Sequence, residues 1–220
     1  GRKNMKKLLC PSMMCANYGN LGEEVEKLEE AGADIFHIDI MDGQFVPNFG
    51  MGLQDVEFIC KKATIPVDAH LMIENPGSYV EKFAKMGIKI IYIHPESDVH
   101  PTRTLQSIID AGATPGIAIN PGTAVATIKP LLPFVKYVMV MSVNPGFAGQ
   151  KYISSVDEKI KELIELKEKY GYEVMLDGAC SPERVETLSK MGVKGFILGT
   201  SALFGKGKPY KELLDGLRAL

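Results

Sequence analysis

Side chains that can do chemistry alternate with apolar ones in FHIDIMDGQFVPN, residues 36–48. His37, Asp39 and Met41 occupy every second position, and a β-strand presents such residues on one face. An imidazole and a carboxylate are costly to bury together unless they are paired or bound to a cation. The spacing therefore indicates either satisfied buried polar groups or the ligands of a bound cation.

The same alternation returns in DAHLMI, residues 68–73, where Asp68, His70 and Met72 share one face. A further carboxylate, Asp177, ends the apolar segment YEVMLD. The two histidines and two of these carboxylates, gathered from the three segments, would suit a divalent metal. Such a mixed nitrogen and oxygen set binds zinc, iron(II), manganese or cobalt, and the residue types do not choose among them.

The elements that must position these residues alternate regularly along the chain. The predicted strands are residues 8–14, 34–41, 66–73, 88–94, 115–120, 137–143, 172–177 and 195–200. The segments between them have helical spacing, as in residues 21–32 and 156–171. Eight strand–helix units in 220 residues predict an α/β fold, a single (β/α)8 TIM barrel. An open doubly wound sheet is the alternative, and the lack of a GxGxxG motif weakens it.

A barrel would bring the polar residues together. Strand side chains alternate between the barrel interior and the surrounding helices. We therefore expect Phe36, Ile38 and Ile40 to face the helices, and His37 and Asp39 to face inward. Because TIM-barrel active sites lie at the C-terminal ends of the strands, the inward polar residues predict a site at that end.

The composition is that of an ordinary soluble enzyme. Formal net charge is −2 with no run of like charges, so we expect neither a nucleic-acid partner nor a membrane partner. The four cysteines show no CxxC pairing, and they predict reduced thiols in a cytoplasmic protein. We expect one domain over residues 5–220 and a cloning remnant at residues 1–4.

Two segments have the composition of phosphate sites. NPGFAGQ, residues 144–150, is rich in glycine, so its backbone N–H groups could approach an anion closely. GTSALF, residues 199–204, offers backbone amides and the hydroxyls of Thr200 and Ser201 near a following helical turn. The last loops of TIM barrels frequently hold a phosphate, although either segment could also be an ordinary turn.

Taken in order, the motifs of this chain match those of a known family. They are PSMM (11–14), HIDIMDGQFVPN (37–48), DAHLMI (68–73), HPE (94–96), NPGT (120–123), VMVMSVNPGFAGQ (138–150), LDG (176–178) and GTSALF (199–204). From about residue 8 to residue 204 the chain resembles the ribulose-phosphate 3-epimerase family. The resemblance implies a barrel of the ribulose-phosphate-binding type, a sugar-phosphate substrate and a homo-oligomer.

The resemblance also implies roles for individual residues. One divalent metal would be bound by His37, Asp39, His70 and Asp177. Of these, Asp39 and Asp177 would be the two catalytic acid/base groups. The implied substrate contacts are Ser12, His70, Gly146, Phe147, Ala148, Gly149, Asp177, Gly178, Ala179, Gly199, Thr200 and Ser201. Met41, Met72 and Met141 would line the reacting carbon, where soft apolar side chains exclude water.

Small departures within the family bear on the substrate. Ala148, the DGAC segment at 177–180 and the Gly-Thr-Ser turn at 199–201 are more similar to the allulose-6-phosphate 3-epimerase branch. Cys15 and Asn17 also differ from what many ribulose enzymes have. We expect D-allulose 6-phosphate to be the preferred substrate, with D-ribulose 5-phosphate as the alternative. Cross-reactivity is expected, since one extra carbon unit gives modest discrimination.

Other functions fit the residues less well. A Schiff-base aldolase needs an inward lysine, and an orotidine-phosphate type of decarboxylase carries DxKxxD, but the strand ends supply no lysine. A sugar-phosphate binding protein without catalysis is the remaining alternative, although none of the implied site residues is missing. His94 is expected either to reach the outer site or to cap its strand, and His100 to be solvated. Cys180 lies beside the predicted site without an assigned role.

Overall fold

Strands and helices alternate in the computed structural model, which describes residues 6–220. The strands are β1 Leu8–Pro11, β2 Phe36–Met41, β3 Val67–Met72, β4 Ile90–Ile93, β5 Thr114–Ile119, β6 Tyr137–Met141, β7 Glu173–Asp177 and β8 Gly195–Leu198. The α-helices are α1 Leu21–Glu30, α2 Leu53–Lys62, α3 Val80–Met86, α4 Pro101–Asp110, α5 Val125–Ile128, α6 Val156–Tyr170, α7 Pro182–Met191 and α8 Tyr210–Ala219. The remnant predicted at residues 1–4 lies outside the described residues.

The eight strands form one parallel sheet in the order β1-β8-β7-β6-β5-β4-β3-β2. A parallel bridge between Ser12, directly after β1, and His37 in β2 brings the two edges of the sheet together. The predicted TIM barrel is confirmed. The register pairs Asp39 with His70 and Met141 with Asp177, so the predicted site residues of neighbouring strands stand side by side.

The two faces of β2 separate as its alternating sequence predicts. Phe36, Ile38 and Ile40 are buried in the large apolar layer between the strands and the helices. The barrel interior holds a smaller apolar cluster, in which the ring of Tyr92 is fully buried. Gly116 on the neighbouring strand makes room for that ring, because a Cβ atom there would lie 2.6 Å from it. Large and small residues thus fill the interior, which is a packed core and not a pore.

Strand β1 and helix α5 are both short, and β1 ends before the predicted limit at residue 14. The first strand ends at Pro11, and residues 13–15 turn into a short 3-10 helix, which sets Ser12 at the rim of the barrel. Helix α5 is a single turn, and a 3-10 segment, Lys129–Phe134, follows it. Prolines at 130 and 133 explain this, because each removes a backbone donor and disfavours a continuous α-helix.

The N-terminal end of the barrel is closed by ion pairs around Asp34. Its Oδ2 accepts hydrogen bonds at 2.9 Å from the backbone N–H of Leu9 and from the guanidinium of Arg218, at the end of α8. The ammonium of Lys6 lies 3.0 Å from its other oxygen. Burial opposes ionisation, but these three donors prevail and lower the pKa of Asp34. Within residues 6–220 no helix has the length and apolar character needed to cross a membrane.

Candidate active site

Four side chains from three strands meet at the C-terminal end of the barrel. Nε2 of His37 lies 3.1 Å from Oδ1 of Asp39 and 3.6 Å from Oδ2 of Asp177. Nδ1 of His70 lies 3.2 Å and 3.4 Å from the same two oxygens. The four atoms all lie within 4.8 Å of one another. Strands β2, β3 and β7 therefore present two imidazole nitrogens and two carboxylate oxygens to one point.

The spacing of these atoms fits a divalent metal. Ligand atoms about 2.1 Å from a tetrahedral centre lie roughly 3.4 Å from each other. The four measured separations, 3.1 to 3.6 Å, bracket that value. Two neutral imidazoles with two carboxylates also balance the charge of a divalent ion, which makes burial of the set favourable. These residues could therefore hold one metal ion.

The electrostatics of the cluster favour a cation. Burial disfavours the charged form of the His37 ring, but the carboxylates of Asp68 and Asp39 outweigh it and raise the pKa of His37 well above its ordinary value. Burial likewise disfavours ionisation of Asp39, yet the two imidazoles lower the pKa of that carboxyl. The pKa of Asp177 is also lowered, because hydrogen bonds from His37 and His70 outweigh its burial. The same field that holds protons on the rings attracts a metal ion.

A carboxylate supports the first imidazole from behind. Asp68 and His37 are both fully buried. Oδ1 of Asp68 lies 2.6 Å from Nδ1 of His37, the nitrogen that faces away from the cluster. A carboxylate in this position fixes the ring orientation and the tautomer of a metal-binding histidine. The sequence predicts Asp68 on the inward face but gives it no role in the site. Its contact with His37 depends on the register of β2 and β3, which the sequence does not show.

A cavity opens above the cluster. The predicted site residues that line it are Ser12, Asp39, Met41, Met72, Met141, Gly146, Phe147, Ala148, Gly149, Asp177, Gly178, Ala179, Gly199, Thr200 and Ser201. His37 and His70 are fully buried beneath this lining. The cavity is also lined by residues that lie in or beside the quoted motifs but were not named as substrate contacts, among them Met14, Cys15, Asn144, Gln150 and Cys180. Nearly all of these lie within two positions of a predicted motif residue, so proximity in sequence was the available signal.

The end of β7 is held in position by hydrogen bonds from Ser142. Its backbone N–H donates to the carbonyl of Asp177 at 2.9 Å, and its hydroxyl donates to the carbonyl of Gly178. Gly178 has a φ of +118°, and a Cβ atom there would lie 2.8 Å from the Ser142 hydroxyl oxygen. Only glycine suits this position. At the end of β1, the Ser12 hydroxyl donates to Oδ2 of Asp39 at 3.0 Å.

The glycine-rich loop at 144–150 is closed by side-chain hydrogen bonds. Gln150 donates from its amide to the carbonyls of Asn144 and Phe147, at 2.7 and 2.9 Å. Asn48 donates to the carbonyl of Gly146 at 2.8 Å, which ties this loop to the loop after β2. The segment 199–204 forms a tight turn in which two backbone N–H groups donate to the carbonyl of Gly199.

Comparison with known sequences identifies the family. The profile of the Ribulose-phosphate 3 epimerase family matches residues 8–204. The chain belongs to this family. Among its relatives, the ribulose-phosphate 3-epimerase of Aquifex aeolicus is 39% identical over 90% of both chains. The ribulose-phosphate 3-epimerase of Helicobacter pylori is 40% identical over 96% of both chains. That of Bacillus subtilis is 38% identical over 94% of this chain and 96% of the relative.

Solved structures support the fold independently. Phosphoribosyl anthranilate isomerase from Thermus thermophilus superposes with a TM-score of 0.67 over 96% of both chains, at 12% identity. The enzyme of that name from Thermococcus kodakaraensis superposes with a TM-score of 0.66 over 97% of both chains, at 13% identity. These similarities show the barrel alone. Membership of the epimerase family makes the chain an isomerase of the class that epimerises carbohydrates.

A third imidazole lies next to the cluster, at a residue whose role the sequence left open. His94 is fully buried, and its Nε2 lies 2.7 Å from Nε2 of His70. Burial lowers the pKa of His94 to about 4, against the opposing effect of Glu96. His94 directly follows β4, its side chain makes no capping hydrogen bond, and it reaches the cluster from behind through His70 without lining the cavity. His100, by contrast, is exposed as expected.

Proposed function

We propose that this family member is a metal-dependent ketose-phosphate 3-epimerase that interconverts D-allulose 6-phosphate and D-fructose 6-phosphate. The observation that carries the proposal is the pair of carboxylates, Asp39 and Asp177, in one cavity with two buried imidazoles. Epimerisation at carbon 3 removes a proton beside the carbonyl and returns one to the opposite face. Two carboxylates can do this without turning the substrate over.

Asp39 and Asp177 each hold or remove the proton at carbon 3 in this mechanism. The Ser12 hydroxyl orients the carboxylate of Asp39, and the Ser142 contacts hold the backbone of Asp177 at the end of β7. When bound by His37, Asp39, His70 and Asp177, a divalent metal supplies Lewis-acid stabilisation of the negative charge that develops on the substrate oxygens. Zinc, iron(II), manganese and cobalt all suit this ligand set.

The methionines and loops around the carboxylates supply binding. Met41, Met72 and Met141 are buried and line the cavity, so they exclude water from the reacting carbon. We assign the phosphate to the loops at 144–150 and 199–204, which offer backbone N–H groups and the hydroxyls of Thr200 and Ser201. Residues 146–149, 177–179 and 199–201 are the proposed substrate-binding backbone. These groups and Ser12 and His70 complete the proposed substrate contacts.

The preference for a six-carbon substrate rests on residues near the phosphate end. Ala148, the DGAC segment at 177–180 and the turn at 199–201 resemble the allulose-6-phosphate branch. D-Ribulose 5-phosphate is the second candidate, favoured by the curated relatives, which carry the name ribulose-phosphate 3-epimerase. We further propose that residues 5–220 act as one domain in a cytoplasmic homo-oligomer.

Proton exchange at carbon 3 tests the proposal. The metal-loaded protein is incubated in deuterated water with D-allulose 6-phosphate and, separately, with D-ribulose 5-phosphate, while NMR follows the carbon-3 proton. We expect both sugars to epimerise, with kcat/KM at least about tenfold higher for the six-carbon sugar. A preference for the five-carbon sugar would make D-ribulose 5-phosphate the substrate, and the proposed mechanism would stand. No exchange with either, at full metal occupancy, would overturn the epimerase proposal.

A further inference from the structure

On the side away from the cluster, the imidazole of His70 contacts a chain of side chains that runs through His94 and Glu96. Its Nε2 lies 2.7 Å from Nε2 of His94, and both rings are fully buried. Nδ1 of His94 lies 3.5 Å from Oε1 of Glu96. The other oxygen of Glu96 accepts hydrogen bonds from the backbone N–H of Asn120 at 2.6 Å and the hydroxyl of Thr123 at 2.8 Å. The chain therefore runs from the cluster to the loop after β5.

The positions of the protons along this chain follow from its two ends. Nδ1 of His70 points into the metal cluster, and a nitrogen that binds a metal carries no proton. The proton of the neutral His70 ring is then on Nε2, which donates to His94. Because Nε2 of His94 accepts, its own proton is on Nδ1, which faces the carboxylate of Glu96.

We propose that His94 and Glu96 are positioning residues that hold His70 as the Nε2–H tautomer, with Nδ1 free to bind a divalent metal. Glu96 is the fixed end of the chain, since an ionised carboxylate only accepts hydrogen bonds. The effect on metal binding is independent of the substrate; the effect on catalysis rests on the proposed function.

The two imidazoles of the cluster are held by different neighbours on the side away from the metal ligands. His37 contacts the buried carboxylate of Asp68 directly, at 2.6 Å. His70 instead reaches its carboxylate through a second imidazole, which packs against the ring of Phe45 with 5.0 Å between centroids. His94 therefore connects the buried His70 ring to Glu96, whose side chain is 20% exposed. Two residues of the HPE motif at 94–96 therefore connect to the metal site from outside the predicted ligand set, His94 directly and Glu96 through His94.

Substitutions at His94 separate hydrogen bonding from packing. His94→Phe keeps an aromatic ring but removes the acceptor, so we expect affinity for Zn²⁺ and Co²⁺ to fall about 10- to 100-fold in a chelator competition assay. His94→Gln restores an acceptor and should recover part of that loss. His100→Phe is the matched control on an exposed loop, and its metal affinity should equal that of the wild type. A packing role would give the opposite ranking, with His94→Phe better than His94→Gln.

Glu96→Gln tests the chain at its partly exposed end and keeps one acceptor oxygen on the side chain. We expect a smaller loss of Zn²⁺ affinity than for His94→Phe. In the zinc-loaded wild type, nitrogen-15 NMR of labelled histidine should place the His70 proton on Nε2. Wild-type zinc affinity in both His94→Phe and Glu96→Gln, or a proton on Nδ1 of His70, would overturn the proposal.

Metal affinity and epimerase activity are measured separately, so the two proposals can fail separately. If His94→Phe weakens zinc binding but the wild type epimerises neither sugar, the positioning chain stands and the proposed function fails. If the wild type epimerises a sugar phosphate and His94→Phe binds zinc normally, the proposed function stands and the chain fails.

Discussion

The two ends of the barrel use aspartates in opposite ways. At the N-terminal end, Asp34 is paired with Arg218, Lys6 and a backbone N–H, all of which are donors at any ordinary pH. At the C-terminal end, Asp39 and Asp177 are paired with imidazoles, which can lose their protons to a metal or to solvent. The same residue type therefore stabilises one end and supplies chemistry at the other. The hydrogen-bond partner of each carboxylate therefore decides whether that carboxylate stabilises the fold or takes part in chemistry.

Removing a carboxylate at the C-terminal end should have the largest effect. Asp39→Asn and Asp177→Asn each remove an acid/base group, so we expect kcat/KM to fall by about 10²- to 10⁴-fold or more. Circular dichroism and metal analysis check that each variant is folded and loaded. Retention of more than about a tenth of wild-type activity by either variant would remove that residue from the mechanism.

Weakening the support of His37 should have an intermediate effect. Asp68→Asn leaves the ligand atoms in place but removes the carboxylate behind the ring, so we expect Zn²⁺ affinity to fall about 10- to 100-fold. The measurement is a zinc titration against a competing chelator, with His100→Asn as the control. Unchanged affinity would show that Asp68 contributes to the interior but not to the metal site.

At the N-terminal end the expected effect is on stability. The pKa of Asp34 is lowered in the folded protein, so its ionised form stabilises the fold above the unfolded value of about 3.9, and this contribution is lost as pH falls through the folded pKa. Asp34→Asn should lower the free energy of unfolding by about 1–2 kcal/mol at pH 7, after allowance for solvent screening. Urea unfolding should show the difference shrinking below about pH 4. A difference that does not change with pH would contradict the ion-pair account.

The smallest expected effect concerns the backbone beside Asp177. Ala179 has a φ of +48°, a left-handed conformation that costs a residue with a Cβ atom about 1 kcal/mol. Ala179→Gly should therefore raise the free energy of unfolding by up to about 1 kcal/mol. Asn75, with a φ of +50°, is the control, because asparagine tolerates this region better and gains less from replacement by glycine. Destabilisation by Ala179→Gly would show that its methyl group makes contacts worth more than the strain.

The sequence predicts features that depend on local periodicity. Alternation by two places His37 and Asp39 on the inner face of β2 and Phe36 and Ile38 on the outer face, whatever the neighbouring strands do. The count of strand–helix units predicts the barrel for the same reason.

Features that depend on the stagger between strands could not be predicted in the same way. His94 reaches His70 only because β3 and β4 pair with His70 opposite Tyr92, which places the end of β4 beside the ring. Ser142 reaches Gly178 through the register of β6 and β7. No pattern within one strand encodes such contacts. The six-carbon preference stays a prediction, because it rests on motif resemblance in loops.

Isotope exchange by the two aspartate variants tests the central claim most directly. Zinc-loaded Asp39→Asn and Asp177→Asn are each incubated in deuterated water with D-allulose 6-phosphate and with D-fructose 6-phosphate, and NMR follows the carbon-3 proton. If the two carboxylates serve opposite faces, each variant should exchange the proton of one epimer without epimerisation, and the two variants should favour different epimers. Epimerisation by either variant at the wild-type rate, or exchange of the same epimer by both, would contradict the two-carboxylate mechanism.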